Sequence, residues 1–262
     1  KFVPKDAVEI PLDEEVKAKI RLIDCVGYMV EGASGYVENE EERQVKTPWF
    51  ENEIPFTKAA AIGTKKVIHD HSTIGIVVTT DGTIGEIPRE NYIEAEGKTI
   101  QELQSIGKPF IVLVNTRKPY SEDAKKIAKE VEETYGVTAI PVNCEQLREE
   151  DIHSIMQSVL YEFPISEVQF FIPKWVEMLG MDHPIKKELI TYVKNYMEVL
   201  HQIKDAKGEV PIPENSYMED VRIEDIILDS GCIRIRIEIG EQFYYRVLSE
   251  VTGTEIEGEY DL

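Results

Sequence analysis

The sequence predicts an α/β domain with a mixed, mostly parallel sheet over residues 1–164, followed by a smaller α+β module over 165–262. Three observations carry this. Continuous apolar runs at 74–78 (IGIVV), 110–114 (FIVLV) and 137–142 (VTAIPV) have the pattern of strands buried on both faces, as in a parallel sheet. Helical periodicities separate them. Further on, Ile233, Ile235, Ile237 and Ile239 alternate with Arg234, Arg236 and Glu238, which is the period of a half-buried antiparallel strand.

In chain order, residues 7–12 and 16–23 read as an antiparallel hairpin closed by Asp13, Glu14 and Glu15. A glutamate-rich stretch over 31–46 reads as a mobile loop, and Trp49 and Phe50 beside Pro48 as an anchor on the core. Ala60, Ile62, Val67 and Ile68 mark a helix over 56–71; Ile93, Ile100, Leu103 and Ile106 mark the next, stopped by Gly107 and Pro109. Ser121 is an N-cap ahead of Glu122 and Asp123, Ile127, Val131 and Tyr135 form the apolar stripe, and Gly136 closes that helix. Ile152, Ile155, Met156, Val159 and Leu160 line a fourth. In the second module, 168–172 reads as a strand and 175–179 as a short helix. His183 and Pro184 open a long helix with Ile185, Leu189, Val193, Met197, Leu200 and Ile203 on one face. Residues 207–217 read as a loop, and 240–251 as a helix.

Composition excludes several functions. With 42% hydrophobic and 30% charged residues, the 262-residue chain suits one or two domains with real cores. A net charge of −21 repels phosphate backbones, which argues against nucleic-acid binding, and it leaves no basic patch for an anionic membrane. Cys25, Cys144 and Cys232 are odd in number and far apart, so neither a disulfide framework nor a zinc spacing is read, and a reducing cytosolic compartment is expected. His69 and His71 have no Cys or carboxylate at ligand spacing and read as helix-end residues.

The chemistry points to nucleotides. The stretch KIRLIDCVGY at 19–28 ends an apolar run in Asp24, with Gly27 three positions on. That is the shape of a Walker B strand running into switch II, where the carboxylate serves the Mg²⁺ shell and the Gly amide faces the terminal phosphate. Yet the sequence G-x-x-x-x-G-K-[ST] occurs nowhere; Gly63-Thr64-Lys65-Lys66 and Gly97-Lys98 lie in helical patterns and lack the first glycine. The simplest expectation is a chain that begins after a phosphate loop and its helix, a unit of at least ~30 residues. Ligands in parallel sheets bind at the carboxyl ends of the strands. The polar groups expected on that rim are Asp24; Thr79, Thr80 and Asp81; Asn115, Thr116 and Arg117; and Asn143 and Cys144.

Several blocks in order, LIDCVGY, TPWF, HSTIGIVVTTDGTIG, YIEAE, GKPFIVLVN and LYEFP, closely resemble the stage IV sporulation protein A family, the spore-coat morphogenetic ATPases of endospore-forming bacteria. The resemblance is dense to about Pro164 and looser beyond. It implies an incomplete P-loop NTPase domain of the translation-factor-related GTPase type, and a middle α+β domain. It implies ATP as the nucleotide, with Mg²⁺ reached from Asp24 through water and Gly27 as the switch II glycine. Asn115, Thr116, Lys118, Asn143 and Cys144 would face the base. Related GTPases often carry Gln or His where Tyr28 stands, so hydrolysis is expected to be slow. Guanine-specific relatives place an aspartate at the position of Lys118; a cation cannot accept the guanine N–H groups. The resemblance also implies a homopolymer in the mother-cell cytoplasm, on the outer forespore membrane surface. There it would be recruited by a small amphipathic membrane peptide and overlaid by other spore-coat proteins.

Two alternatives stand beside this: a regulatory GTPase of the translation or ribosome type, and a scaffold module with a dead nucleotide site. One structural expectation follows. Sheets of this class put the strand that feeds the phosphate loop between the Asp24 strand and the strand at 74–78. Without it, backbone donors and acceptors lose partners. An upstream piece, a borrowed strand or a rearranged sheet is expected, and direct pairing of the strands of Leu22 and Ile76 would contradict the strand order.

Overall fold

The computed structural model describes residues 4–11, 17–38 and 40–261. The chain divides into two compact units, 1–159 and 160–262.

The first unit opens with a hairpin of β1 (Val8–Pro11) and β2 (Lys17–Ile20), antiparallel with Val8 opposite Ile20. The predicted turn at 13–15 lies outside the described residues. The second strand is shorter than expected. It stops at Ile20, and residues 21–30 have no regular structure, so Asp24 does not end a strand and the hairpin does not join the parallel sheet. The reason is physical: among the described residues no strand lies between this segment and the sheet to hold 21–24 extended by hydrogen bonding.

The predicted mobile loop contains two short antiparallel pairs, β3 (Val37–Glu38) with β4 (Glu41–Glu42), and β5 (Gln44–Val45) with β6 (Ile54–Pro55). The anchor expected at Trp49 and Phe50 is only partial: the Trp49 ring lies over Gly63, where a Cβ would stand 3.6 Å from it, with Lys66 Nζ 5.8 Å from its centroid, but Trp49 and Phe50 stay 37% and 41% exposed. Helix α1 (Phe56–Lys66) runs into a π-helical turn, Val67–His71. Lys108 caps that turn, its ammonium donating to the carbonyls of Ile68, His69 and Ser72.

The sheet proper has three parallel strands in the order β7 (Gly75–Thr80), β8 (Phe110–Asn115), β9 (Ala139–Val142). Helix α2 (Ile93–Ser105) links β7 to β8, and α3 (Glu122–Tyr135) links β8 to β9. Both caps of α3 are as read: Ser121 Oγ accepts from the Ala124 amide at 3.2 Å, and Gly136 takes φ +66°. Ile100, Leu103, Ala128 and Val131 pack on Val77, Val112 and Val114 of the sheet. Ile111, Val112 and Val114 are fully enclosed, each worth about 1.5–3 kcal/mol of burial. The strand at 74–78 was expected to be buried on both faces. Instead Ile76 is 39% and Val78 58% exposed, because β7 is the sheet's edge. Helix α4 (Glu149–Tyr161) follows β9 and buries Ile155 and Val159.

The second unit has a three-stranded sheet, order β10 (Glu167–Phe171), β12 (Cys232–Ile239), β11 (Met218–Ile227). The central strand pairs parallel with β10 and antiparallel with β11. Its isoleucines face Val176 of α5 (Lys174–Glu177) and Ile185, Leu189, Tyr192 and Tyr196 of α6 (Pro184–Met197). Its other face is charged and tied across strands, Arg236 to Glu224 and Arg222 to Glu238, both at 2.7 Å. Two readings change here. The long helix ends at Met197, and Leu200 and Ile203 are buried by a turn that a Gln202–Asp205 capping box opens. Strand β11 was not foreseen. Helix α7 (Glu241–Thr252) closes the unit. Among the described residues, no helix is long and apolar enough to cross a membrane.

Candidate functional site

The carboxyl ends of the three parallel strands meet in one hydrogen-bonded rim. The Asp81 amide donates to Asn115 O at 3.3 Å, and the Thr116 amide to Val142 O at 2.8 Å, so each strand's exit leans on the next. Side chains then stitch the loops. Asn115 Oδ1 accepts from the Cys144 amide at 3.0 Å; Thr116 Oγ1 accepts from the Lys118 amide at 3.1 Å. Thr83 Oγ1 accepts from the Arg117 amide at 3.1 Å and donates to Asp81. Gly82 sits at φ +84°, and a Cβ there would stand 3.0 Å from the Arg89 amide nitrogen, so the turn admits glycine alone without strain.

The electrostatics follow from these contacts. Burial disfavours the Asp81 carboxylate, but hydrogen bonds from Thr116 and Thr83 outweigh it, and its pKa lies below the ordinary value. Burial pushes the Cys144 thiol up, which keeps it neutral and unreactive near neutral pH. Beneath the rim, Arg89 pairs with Glu96 and donates to Thr79 Oγ1 at 3.0 Å.

Of the residues read from the sequence, Asn115, Thr116, Lys118, Asn143 and Cys144 come together here. Lys118 and Asn143 line a cavity of about 580 Å³ with Arg117, Tyr120 and Arg148. Asp24 and Gly27 lie elsewhere. They line a groove of about 380 Å³ along the edge of β7 that reaches Thr79 but neither Asn115 nor Lys118. The Asp24 carboxylate is exposed. The Gly27 amide donates to the buried Thr64 Oγ1 at 3.0 Å, so in this conformation it is engaged inside the protein rather than offered to a phosphate. Tyr28 lines the same groove; burial and then the Glu102 charge raise its pKa, leaving a neutral phenol that can donate a hydrogen bond and is a poor base.

For a nucleotide base the rim has the Lys118 ammonium, the Asn143 side chain and a neutral Cys144 thiol, while the Cys144, Lys118 and Arg117 amides are already held by Asn115, Thr116 and Thr83. The phosphate and metal end does not fit as well. Among the described residues no three His, Cys, Asp or Glu side chains converge on a metal position. His69 instead meets Glu102 at 2.6 Å. Thr83, Arg89 and Arg148 were missed by sequence reasoning. Only Thr83 had a local signal, since Asp-Gly-Thr is an Asx-turn pattern.

A parallel sheet with a knitted polar rim at its strand ends is the architecture of the α/β class whose ligands bind beyond the carboxyl ends of the strands. The profile of "Stage IV sporulation protein A, ATPase domain" matches residues 1–164, and that of "Stage IV sporulation protein A, middle domain" matches residues 165–262. The chain belongs to the stage IV sporulation protein A family. It is 45% identical to the stage IV sporulation protein A of Clostridioides difficile (strain 630) over 263 residues, covering 100% of this chain and 54% of that protein. It is 40% identical to that of Bacillus anthracis, covering 99% and 53%, and 39% identical to that of Bacillus subtilis (strain 168), covering 98% and 53%. The chain thus spans about half the length of the curated relatives it matches. No solved structure matches it.

Proposed function

We propose that this chain is the nucleotide-base-binding part of a sporulation ATPase of the translation-factor-related P-loop type, and that its parent protein couples slow ATP hydrolysis to self-assembly. The carrying observation is the rim: Asn115 holds the Cys144 amide, and Lys118 stands exposed beside Asn143 at the mouth of the cavity. Asn115, Thr116, Lys118, Asn143 and Cys144 form the base end. Lys118, a donor only, supports adenine over guanine. Asp24 would hold Mg²⁺ through water and Gly27 would meet the terminal phosphate. Both roles need the segment 21–30 to rearrange, with the Gly27 amide leaving Thr64. The metal, when bound, neutralises phosphate charge.

In the same reading, the parent protein polymerises in the mother-cell cytoplasm on the outer forespore membrane surface as the base of the spore coat. The partners are further copies, a small amphipathic recruiting peptide and other coat proteins. The chain's acidity supports recruitment by a partner rather than by lipid charge. Without the motif G-x-x-x-x-G-K-[ST], residues 1–262 alone are expected to hydrolyse no measurable ATP.

The test uses the longer protein with its phosphate loop. Asp24→Ala should abolish ATP hydrolysis and pelletable polymer together; equal values for variant and wild type defeat the reading. A GTP-over-ATP preference in competition would favour the regulatory GTPase instead.

A further inference from the structure

The connection from β7 to α2, residues 81–92, makes two side-chain contacts that reach far along the chain. Near its start, the Thr83 hydroxyl donates to Asp81 Oδ1 at 2.5 Å, and the Thr83 amide donates to the same oxygen at 2.9 Å. The carboxylate thereby orients the hydroxyl, whose oxygen accepts from the Arg117 amide at 3.1 Å, 34 positions on. Thr83 Oγ1 also lies 3.5 Å from the hydroxyl of the fully buried Thr116. Near its end, a single 3₁₀ turn at Arg89–Tyr92 presents Asn91, whose Nδ2 donates to Glu31 O at 2.9 Å, 60 positions back. A Cβ on Gly32 would stand 3.6 Å from that nitrogen. Thr and Asn side chains ordinarily bond to backbone within a few residues of themselves. Here each holds a distant loop instead. Between the two, the Arg89–Glu96 pair ties the connection to α2.

We propose that Thr83 and Asn91 are positioning residues for opposite ends of the nucleotide site: Thr83 fixes the base loop through the Arg117 amide, and Asn91 fixes the segment carrying Asp24 and Gly27 through the Glu31 carbonyl. This rests on the nucleotide reading above and deepens it. Arg117 lies between Thr116 and Lys118 of the base group, and Glu31 closes the irregular stretch that holds Asp24, Gly27 and Tyr28. Neither Thr83 nor Asn91 is a catalytic residue. Each orders a loop before the ligand arrives, so that binding or reaction does not have to order it. The two loops act at different steps. Ordering at the base end is felt equally in the ground and transition states, and so belongs to KM, which reports affinity when hydrolysis is slow. Ordering at Glu31 sets the end about which the segment turns to bring Gly27 and Asp24 to the phosphates, and so belongs to kcat.

The test has two arms. In the 262-residue chain without nucleotide, amide hydrogen exchange is followed residue by residue. Thr83→Val removes the hydroxyl at nearly constant shape and should quicken exchange at Arg117 about three- to tenfold, the range of one lost hydrogen bond. Thr83→Ser keeps the hydroxyl and should stay within about twofold of wild type. Asn91→Ala should quicken exchange at Gly27, whose amide rests on Thr64. In the longer protein with its phosphate loop, Thr83→Val should raise KM for ATP about three- to tenfold and lower kcat by less, with Thr83→Ser restoring KM. Asn91→Ala should do the reverse, lowering kcat more than it raises KM. Unchanged exchange at Arg117 and Gly27 overturns the proposal whatever the nucleotide does. So does the same split between KM and kcat in both variants, which would mark a merely structural role. If exchange quickens and Asn115→Ala weakens ATP binding while the Thr83 and Asn91 variants keep wild-type kinetics, the proposal falls and the nucleotide reading stands. If Asn115→Ala and Thr83→Val both leave ATP binding unmoved, the base rim itself is refuted and the proposal falls with it.

Discussion

Arg89 grips Glu96 with both ends of its guanidinium, Nη1 to Oε2 at 2.6 Å and Nη2 to Oε1 at 2.9 Å, beneath the exit of the first parallel strand. The glutamate side chain is 2% exposed. A bidentate pair this deep repays its desolvation only while both partners stand. Arg89→Met should cost about 3–5 kcal/mol in chemical denaturation, because it strands a buried carboxylate. Arg89→Met combined with Glu96→Leu should recover most of that loss. If the double variant is as unstable as the single one, Arg89 matters through Thr79 instead.

Asn115 ties two strand exits through the Cys144 amide. Asn115→Ala leaves that amide without its acceptor, at about 1–3 kcal/mol. Thermal unfolding of the 262-residue chain should show the loss directly. In the longer protein, the same change should weaken ATP binding more than Ser121→Ala does, which removes only a helix cap.

Lys118→Asp places an acceptor pair at the exposed position beside the rim. In nucleotide competition on the longer protein, the ATP-to-GTP affinity ratio should fall by at least about tenfold, from about 1–3 kcal/mol per hydrogen bond regained. An unchanged ratio would remove Lys118 from the base site.

Among the described residues the buried Tyr192 hydroxyl has no hydrogen-bond partner, and its ring stacks on Tyr196 at 6.0 Å. Burial, with the Tyr196 charge adding to it, pushes its pKa up to about 12. Tyr192→Phe should be neutral or stabilising, since it removes an unpaired polar group. The sign for pH is clear: the folded state holds the proton more tightly, so stability is intact below about pH 10 and falls as pH rises towards 12. Thermal melts between pH 9 and 12 should show a shallower alkaline decline in the phenylalanine variant.

Asp81 gives the opposite limb. Its pKa is lowered in the fold, so its contribution is present above about pH 4 and is lost as acid protonates it. Asp81→Asn should flatten acid unfolding below pH 4 without changing the melt near pH 7 by more than about 1 kcal/mol.

What the sequence discloses depends on where its partners lie. Helix α3 was readable end to end, because Ser121, Glu122 and Gly136 act on backbone within a turn of themselves. Strand β8 was readable because it lies buried between β7 and β9, and β9 because its apolar run is bounded by Gly136 and Asn143, although as an edge it leaves Ile140 and Pro141 half-buried. The exit of the Asp24 segment was not, since a strand is defined by its partner and none is present among the described residues. Strand β11 escaped because its sequence MEDVRIEDII mixes acids into both faces, and its registry slips twice against β12. The end of α6 was misplaced because Leu200 and Ile203 keep the helical spacing while the backbone has already turned. At the rim, Asn115, Thr116, Asn143 and Cys144 were legible as polar residues after apolar runs. Arg89 was not, as nothing local distinguishes it from any surface arginine before Glu96 is folded over it.

The lysine that clasps three carbonyls at the close of the π-helical turn lies some forty positions downstream of them. The corner at 107–109 thereby fastens the lead-in of β7 to the start of β8, so losing the Lys108 ammonium would release both the turn and the strand that follows it.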